Sequence, residues 1–251
     1  MMKIEKLTKD SGATVPVIYD VPDDAGRVVI MIHGFESSKE CATGQMLFRR
    51  MLPEGIGVVA YDQPGHGSEE AREELLTLDN CKSSLRRVED FVASMWPDAE
   101  IMYFGSSFGA YLTGLYVSSE SHRGRKFFMR SAAVNMPELF LGNPDPEALK
   151  LLETQGYVEP DLGTGQIVKV PLQMFEDFRE NNLFEKFDRN QVEAVMVHGE
   201  KDTVIDPAKA RAFAAKFDIP ITLIPGENHS ICLNPESPDI VGDMAIEFFG
   251  G

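Results

Sequence analysis

One short motif has the residue types and spacing for covalent chemistry. Residues Gly105 to Gly109 read Gly-Ser-Ser-Phe-Gly, which fits the pattern G-x-S-x-G with Ser107 in the middle. An apolar run at 101–104 predicts a strand before the motif, and a second apolar run predicts a buried helix after it. Such a turn strains the serine backbone and exposes its hydroxyl. Ser107 is therefore the candidate nucleophile, with Ser106 supporting the turn, although a helix-capping serine would give the same pattern.

A serine hydroxyl needs a positioned base to take its proton. Five histidines are available for this role: His33, His66, His122, His198 and His229. The first and fourth end predicted strands and the second lies in a rigid turn at 62–67, so we expect structural roles for them. The third lies in a polar stretch and should be exposed. His229 lies in a loop after the last predicted strand, where doubly wound sheets gather active sites, and is the predicted base.

The acid that orients this base should follow an earlier strand. Three carboxylates follow the predicted strand at 192–198: Glu200, Asp202 and Asp206. Glu200 is too close to the strand end to reach round, and Asp206 precedes a proline and fits the N-cap of the next helix. Asp202 remains, and a carboxylate there would hold the imidazole in one tautomer and stabilise imidazolium.

Strands and helices alternate along the chain. Apolar runs predict six buried strands, at 27–33, 58–61, 101–104, 127–134, 192–198 and 219–224. Helical patterns between and after them cover 81–95, 107–119, 207–217 and 239–249. This order predicts a mostly parallel sheet with helices on both faces. The more alternating segments 4–7 and 15–19 predict an antiparallel edge.

One connection is too long for a plain crossover, because 58 residues separate Ala133 from Val192. It contains two helical pieces, at about 146–155 and 171–181. We therefore predict a core of residues 1–134 and 192–251, with residues 135–191 inserted as a small cap. The cap's apolar side chains could line a pocket, although most of them would simply pack the cap onto the core: Met136, Leu139, Phe140, Leu141, Leu172, Met174, Phe175, Phe178 and Phe184.

The composition of the chain limits the classes of molecule that it could bind. The net charge of −16 opposes binding to nucleic acid or to an anionic membrane surface. No apolar run suits a signal peptide or a membrane span, and three distant cysteines suit free thiols in a reducing compartment. We expect a cytoplasmic protein that acts on a small molecule, with no cofactor and no metal; a homodimer is left open.

Together these segments resemble the α/β-hydrolase superfamily. The likeness is carried by His33-Gly34-Phe35, the turn 62–67, the motif 105–109, the segment 198–202 and Asn228-His229-Ser230. The resemblance implies a sheet of about eight strands and a lid between the sixth and seventh of them. It also implies an oxyanion hole formed by the backbone N–H groups of Phe35 and Phe108. Within the superfamily, the chain is most similar to small intracellular carboxylesterases, including cinnamoyl and feruloyl esterases.

The expected activity is hydrolysis of carboxylic esters with small, fairly apolar acyl or aromatic groups, through a Ser107–His229–Asp202 triad and an acyl-enzyme. Amide or peptide cleavage is the main alternative, and C–C hydrolase or perhydrolase chemistry stays open. An aspartate-nucleophile enzyme is disfavoured because position 107 is serine. A scaffold that binds a ligand without turning it over is the alternative outside enzymes.

Overall fold

The computed structural model describes residues 1–142, 145–160 and 165–251. The strands of this part of the chain are β1 (Lys3–Thr8), β2 (Thr14–Asp20), β3 (Arg27–Ile32), β4 (Gly57–Tyr61), β5 (Glu100–Ser106), β6 (Lys126–Arg130), β7 (Tyr157–Val158), β8 (Val170–Pro171), β9 (Glu193–Gly199) and β10 (Ile221–Ile224). The helices are α1 (Ala42–Met51), α2 (Glu69–Arg72), α3 (Leu78–Met95), α4 (Phe108–Ser119), α5 (Met136–Leu141), α6 (Pro146–Gln155), α7 (Leu172–Glu180), α8 (Leu183–Lys186), α9 (Pro207–Lys216) and α10 (Ser237–Gly250).

Eight of these strands form one twisted sheet, in the order β1-β2-β4-β3-β5-β6-β9-β10. β2 pairs antiparallel with both β1 and β4, and all pairs from β4 to β10 are parallel. The predicted fold, a mostly parallel sheet of about eight strands flanked by helices, is confirmed. One predicted strand, 127–134, is too long: β6 ends at Arg130, and Ser131 turns away with φ 45°.

The helices cover both faces of the sheet because the central strands are apolar on both. In β3, Val28 and Ile30 pack with residues of α3 and α4, while Val29 and Met31 pack with residues of α1 and α10. Side chains that alternate along a strand point to opposite faces, so each face receives its own apolar cluster. No helix in the described part of the chain is both long and apolar enough to cross a bilayer.

Residues 135–191 connect β6 to β9. They contain α5 to α8 and the two-residue pair of β7 with β8. The predicted helix at 146–155 coincides with α6, and the one predicted at 171–181 lies at 172–180 as α7. Residues 143–144 and 161–164 of the predicted cap lie outside the described residues. Whether 135–191 acts as a cap over the site stays a prediction.

The parallel pairing also determines where the site must form. The carboxyl ends of β5, β9 and β10 lie at the same edge of the sheet. Ser107 directly follows β5, Asp202 follows β9, and His229 follows β10. Residues far apart in sequence therefore meet at that edge.

Candidate active site

Ser107 lies in a strained turn between β5 and α4, with φ 52° and ψ −115°. A positive φ is uncommon for a residue other than glycine and costs conformational energy. Two glycines make the turn feasible. A Cβ on Gly105 would lie 2.7 Å from the Cα of Ala110, and one on Gly109 would overlap the carbonyl oxygen of Ile32. The two glycines thus allow the strand and the helix to pack closely on either side of Ser107.

The structure brings Ser107, His229 and Asp202 into one hydrogen-bonded chain. The Nε2 atom of His229 lies 2.9 Å from the Oγ atom of Ser107, and its Nδ1 atom lies 2.7 Å from Oδ2 of Asp202. The Asp202 side chain is fully buried, whereas the His229 side chain is 21% exposed. The three residues named by sequence pattern are therefore in contact, and the serine and histidine are partly exposed.

The carboxylate of Asp202 has a dense set of donors. Oδ1 accepts from the backbone amides of Val204, at 2.8 Å, and Ile205, at 2.9 Å. Oδ2 faces His229 and also His198, whose Nε2 atom lies 3.0 Å away. Burial by itself would raise the pKa of Asp202, but hydrogen bonds from His198, His229 and the backbone outweigh it and hold that pKa well below its ordinary value. The carboxylate therefore stays ionised at neutral pH.

His198 is the member of the site that sequence reasoning missed. It was expected only to shape a turn, yet its fully buried ring contacts the acid directly. Its Nε2 atom lies 3.0 Å from both Oδ2 of Asp202 and the carbonyl oxygen of Ile205. Both neighbours are acceptors, so Nε2 carries a proton and donates to them. The available signal was its position next to last in β9, four residues before Asp202.

The loop that carries His229 is anchored by a buried carboxylate. Glu227 is fully buried and accepts hydrogen bonds from the amides of Leu233 and Asn234 and from the hydroxyl of Ser237. Burial favours the neutral acid, but these donors outweigh it and lower the pKa of Glu227 to about 2. The ionised side chain thus fastens the histidine loop to the segment that leads into α10.

The two amides predicted to form an oxyanion hole lie on segments that flank Ser107. A Cβ on Gly34 would lie 3.4 Å from the Cβ of Ser107, so the residue before Phe35 packs against the nucleophile. Phe108 directly follows the serine and opens α4. Among the described residues, no backbone carbonyl accepts from the N–H of Phe35 or Phe108. Neither amide is therefore committed to a backbone hydrogen bond in that part of the chain, and their role as an oxyanion hole stays a prediction.

Two buried histidines support the Phe35 segment, as expected of structural residues. The Nδ1–H of His33 donates to the carbonyl of Gly34 at 2.7 Å, and its Nε2 accepts from the amide of Gln63 at 3.1 Å. His66 donates from Nδ1 to the carbonyl of Pro64, and its ring contacts those of Phe35 and Phe108. Burial lowers the pKa of His66 to about 3, so the ring is neutral.

The remaining polar candidates take structural positions. Asp206 caps α9 by accepting from the amide of Ala208 at 2.8 Å, as predicted. Glu200 accepts from the amide of Gly226. His122 was expected to be exposed, but it is half-buried against the rings of Tyr103 and Tyr116.

An apolar cavity of about 470 Å³ lies among α5, α6 and α7. Its wall includes Val204, whose amide donates to Asp202, and Phe140, whose ring packs against Phe35. Five of the nine apolar cap residues proposed from sequence line this cavity: Leu139, Phe140, Leu141, Leu172 and Phe175. The other four pack onto the core, as expected of most cap residues: Met136, Met174 and Phe178 are buried in it, and Phe184 is half-buried against it. A larger cleft, of about 910 Å³, is polar and lies by the amino ends of β6 and β9, away from Ser107.

Comparison with known proteins agrees with this architecture. Residues 23–174 match the family model described as Serine aminopeptidase, S33. No curated protein matches the sequence closely enough to count as a relative.

Several solved structures are similar over almost their whole length. They include a hydrolase of unassigned activity from Agrobacterium vitis S4, with TM-score 0.84, 15% identity and 99% of each chain covered. Est1E from Butyrivibrio proteoclasticus with bound ferulic acid has TM-score 0.81 and 19% identity, over 98% of this chain and 100% of that one. A thermostable carboxyl esterase from Bacillus coagulans has TM-score 0.79 and 15% identity, over 100% and 98%. At such identities the likeness establishes the shared fold.

Proposed function

The chain belongs to the serine aminopeptidase S33 family of hydrolases, and from this premise we propose that it is a serine esterase acting through Ser107, His229 and Asp202. The observation that carries the proposal is the unbroken contact from Ser107 Oγ to His229 Nε2, at 2.9 Å, and from His229 Nδ1 to Asp202 Oδ2, at 2.7 Å. This is the geometry in which an imidazole can take a proton from a serine as the serine attacks.

In the proposed reaction, Ser107 Oγ attacks the ester carbonyl while His229 Nε2 accepts the serine proton. The buried, ionised Asp202 keeps the other imidazole proton on Nδ1 and stabilises the imidazolium that forms. The N–H groups of Phe35 and Phe108 stabilise the oxyanion. His229 then protonates the leaving alcohol, and a water molecule releases the acyl group from Ser107 by the same route.

The proposed substrates are carboxylic esters with a small apolar acyl or aromatic group. A cavity of about 470 Å³ falls within the usual range for small-molecule sites, and its wall is mostly aliphatic and aromatic. We assign residues 135–191 as the cap that supplies most of this wall. The ferulic acid held by the similar Est1E supports an aromatic acyl group as one member of this class of esters.

Cleavage of an amide bond is the second candidate, because the matched family is described by an aminopeptidase activity. The same three side chains could serve either reaction, since leaving-group recognition lies elsewhere in the site. A panel of p-nitrophenyl esters and aminoacyl arylamides separates the candidates. Higher kcat/KM on the esters supports the proposal, and turnover of arylamides alone favours the peptidase.

Replacing Ser107 with alanine tests the nucleophile. The parent is expected to hydrolyse short p-nitrophenyl esters, and the variant to lose at least about 10³-fold in kcat while it unfolds at a similar temperature. Parental turnover by Ser107→Ala would show that another group is the nucleophile. A folded parent that neither turns over esters or amides nor reacts with a fluorophosphonate would favour a non-catalytic binding scaffold.

A further inference from the structure

Arg130, the last residue of β6, holds a buried positive charge that the proposed reaction does not use. The residue is only 9% exposed, and burial lowers the pKa of its guanidinium. No carboxylate in the described ranges lies within ion-pair distance of it. A buried charge is costly unless its donors are hydrogen-bonded, so the acceptors of this guanidinium must offset the cost of its burial.

Those contacts reach the two loops that must meet for proton transfer. The Nη1 group of Arg130 donates to Oγ of Ser106 at 2.9 Å, and its Nη2 group donates to the carbonyl oxygen of Ser230. Ser106 directly precedes Ser107, and Ser230 directly follows His229. One rigid guanidinium thus spans the nucleophile turn and the histidine loop.

The backbone of Arg130 and the side chain of Ser131 also contact the nucleophile turn and the histidine loop. The carbonyl oxygen of Arg130 accepts from the amide of Ser107 at 2.9 Å. Ser131 donates from its hydroxyl to the carbonyl oxygen of His229 at 2.7 Å. Its φ of 45° departs from the strand, although its amide still donates to Val197 at 2.8 Å. The strand therefore ends in a conformation that turns Ser131 toward the histidine loop.

We propose that Arg130 and Ser131 are positioning residues that hold Ser107 Oγ and His229 Nε2 at proton-transfer distance. This inference rests on the proposed function, because the distance matters only if these atoms exchange a proton. Guanidinium has a planar, pre-organised set of donors, so it can fix the relative position of two loops, whereas a lysine ammonium acts as a point charge. A displacement of about 1 Å in such a site can reduce the rate by about 100-fold.

The test measures labelling of the purified protein by a fluorophosphonate probe, recording both its second-order rate constant and the fraction of molecules finally labelled. The variants are Arg130→Met, Arg130→Lys and Ser131→Ala. Arg189→Met is the matched control, because Arg189 also donates to a backbone carbonyl, that of Val192, but near the opposite end of β9.

A positioning role predicts slow but complete labelling. Arg130→Met should react about 10- to 100-fold more slowly than the parent, with Arg130→Lys between the two and Ser131→Ala about 3- to 10-fold slower. On an ester substrate the loss should appear in kcat, with KM within about threefold of the parent. Arg189→Met should react at the parental rate.

Two results would overturn the inference. One is parental rate constants in the Arg130 variants and in Ser131→Ala. The other is a reduced labelled fraction that reacts at the parental rate, because this would mean that Arg130 only maintains the fold. If Arg130→Met does not fold, Ser131→Ala decides by the same criteria. A parent that the probe never labels would instead contradict the proposed function, so the two failures are distinguishable.

Discussion

Replacing Asp202 with asparagine should shift the imidazole proton of His229 from Nδ1 to Nε2. Oδ1 of Asp202 accepts from two backbone amides, and Oδ2 lies 2.7 Å from His229 Nδ1. An asparagine would have to keep its oxygen toward the two amides, so its NH₂ group would take the place of Oδ2. That group would donate to Nδ1 and leave the imidazole proton on Nε2. His229 could then no longer accept a proton from Ser107.

The expected loss of kcat in Asp202→Asn follows from the two features that the substitution removes. The variant lacks both the productive tautomer and the charge that stabilises imidazolium, and this combination costs about 10³- to 10⁴-fold in kcat, or about 4 to 5.5 kcal/mol. His198 adds to the loss, because its Nε2–H would face the new NH₂ group instead of a carboxylate oxygen.

The assay is kcat and KM for p-nitrophenyl butyrate between pH 6 and 9, with thermal unfolding of each protein. Asp206→Asn is the matched control, since Asp206 lies in the same loop but caps α9. We expect near-parental turnover for that control and a large loss for Asp202→Asn. A folded Asp202→Asn protein within tenfold of the parental kcat would refute the tautomer argument.

Three further predictions concern the scaffold. Ser107→Gly should be more stable than Ser107→Ala by about 1 kcal/mol in urea unfolding, because glycine relieves the positive φ; equal stabilities would argue against stored strain. Gly109→Ala should lower the free energy of unfolding by about 3 kcal/mol or more, because the new Cβ would clash with the carbonyl oxygen of Ile32. Gly26→Ala, whose Cβ meets no atom within 4 Å, should stay within about 1 kcal/mol of the parent. Glu227→Gln should lower the urea midpoint at pH 7. A depressed carboxyl pKa stabilises the fold above the unfolded value, near 4.5, and this contribution is lost as pH falls toward about 2, so the gap between parent and variant should narrow over that window. A gap that stays constant with pH would contradict the role of the ionised carboxylate.

The sequence was sufficient to predict most of the sheet, because its parallel strands are buried on both faces and appear as continuous apolar runs. It did not reveal α1. That helix contains a glycine, Gly44, and its buried side chains, such as Met46, Leu47 and Met51, form too short a face to stand out from the flanking polar residues. The end of β6 was also misplaced, because Ala132 and Val134 continue its apolar pattern although Ser131 has already left the strand.

The three side chains of the proposed triad could be chosen from sequence because each follows a strand and one lies in a specific motif. The residues that hold them could not. The contacts of His198 with Asp202, and of Arg130 with Ser106 and Ser230, depend on the three-dimensional approach of separate loops. Nothing in the local pattern of β6 distinguishes Arg130 from an ordinary strand end. The spacing of four residues between His198 and Asp202 does not by itself show that their side chains meet.

Mass spectrometry of labelled protein shows whether Ser107 is the residue that forms the covalent bond with the substrate. The parent is treated with a fluorophosphonate, digested, and its modified peptide sequenced, with Ser107→Ala treated in parallel. If Ser107 is the nucleophile, the parent carries a single adduct on Ser107 and the variant carries none. An adduct on a different residue, or equal labelling of Ser107→Ala, would contradict it.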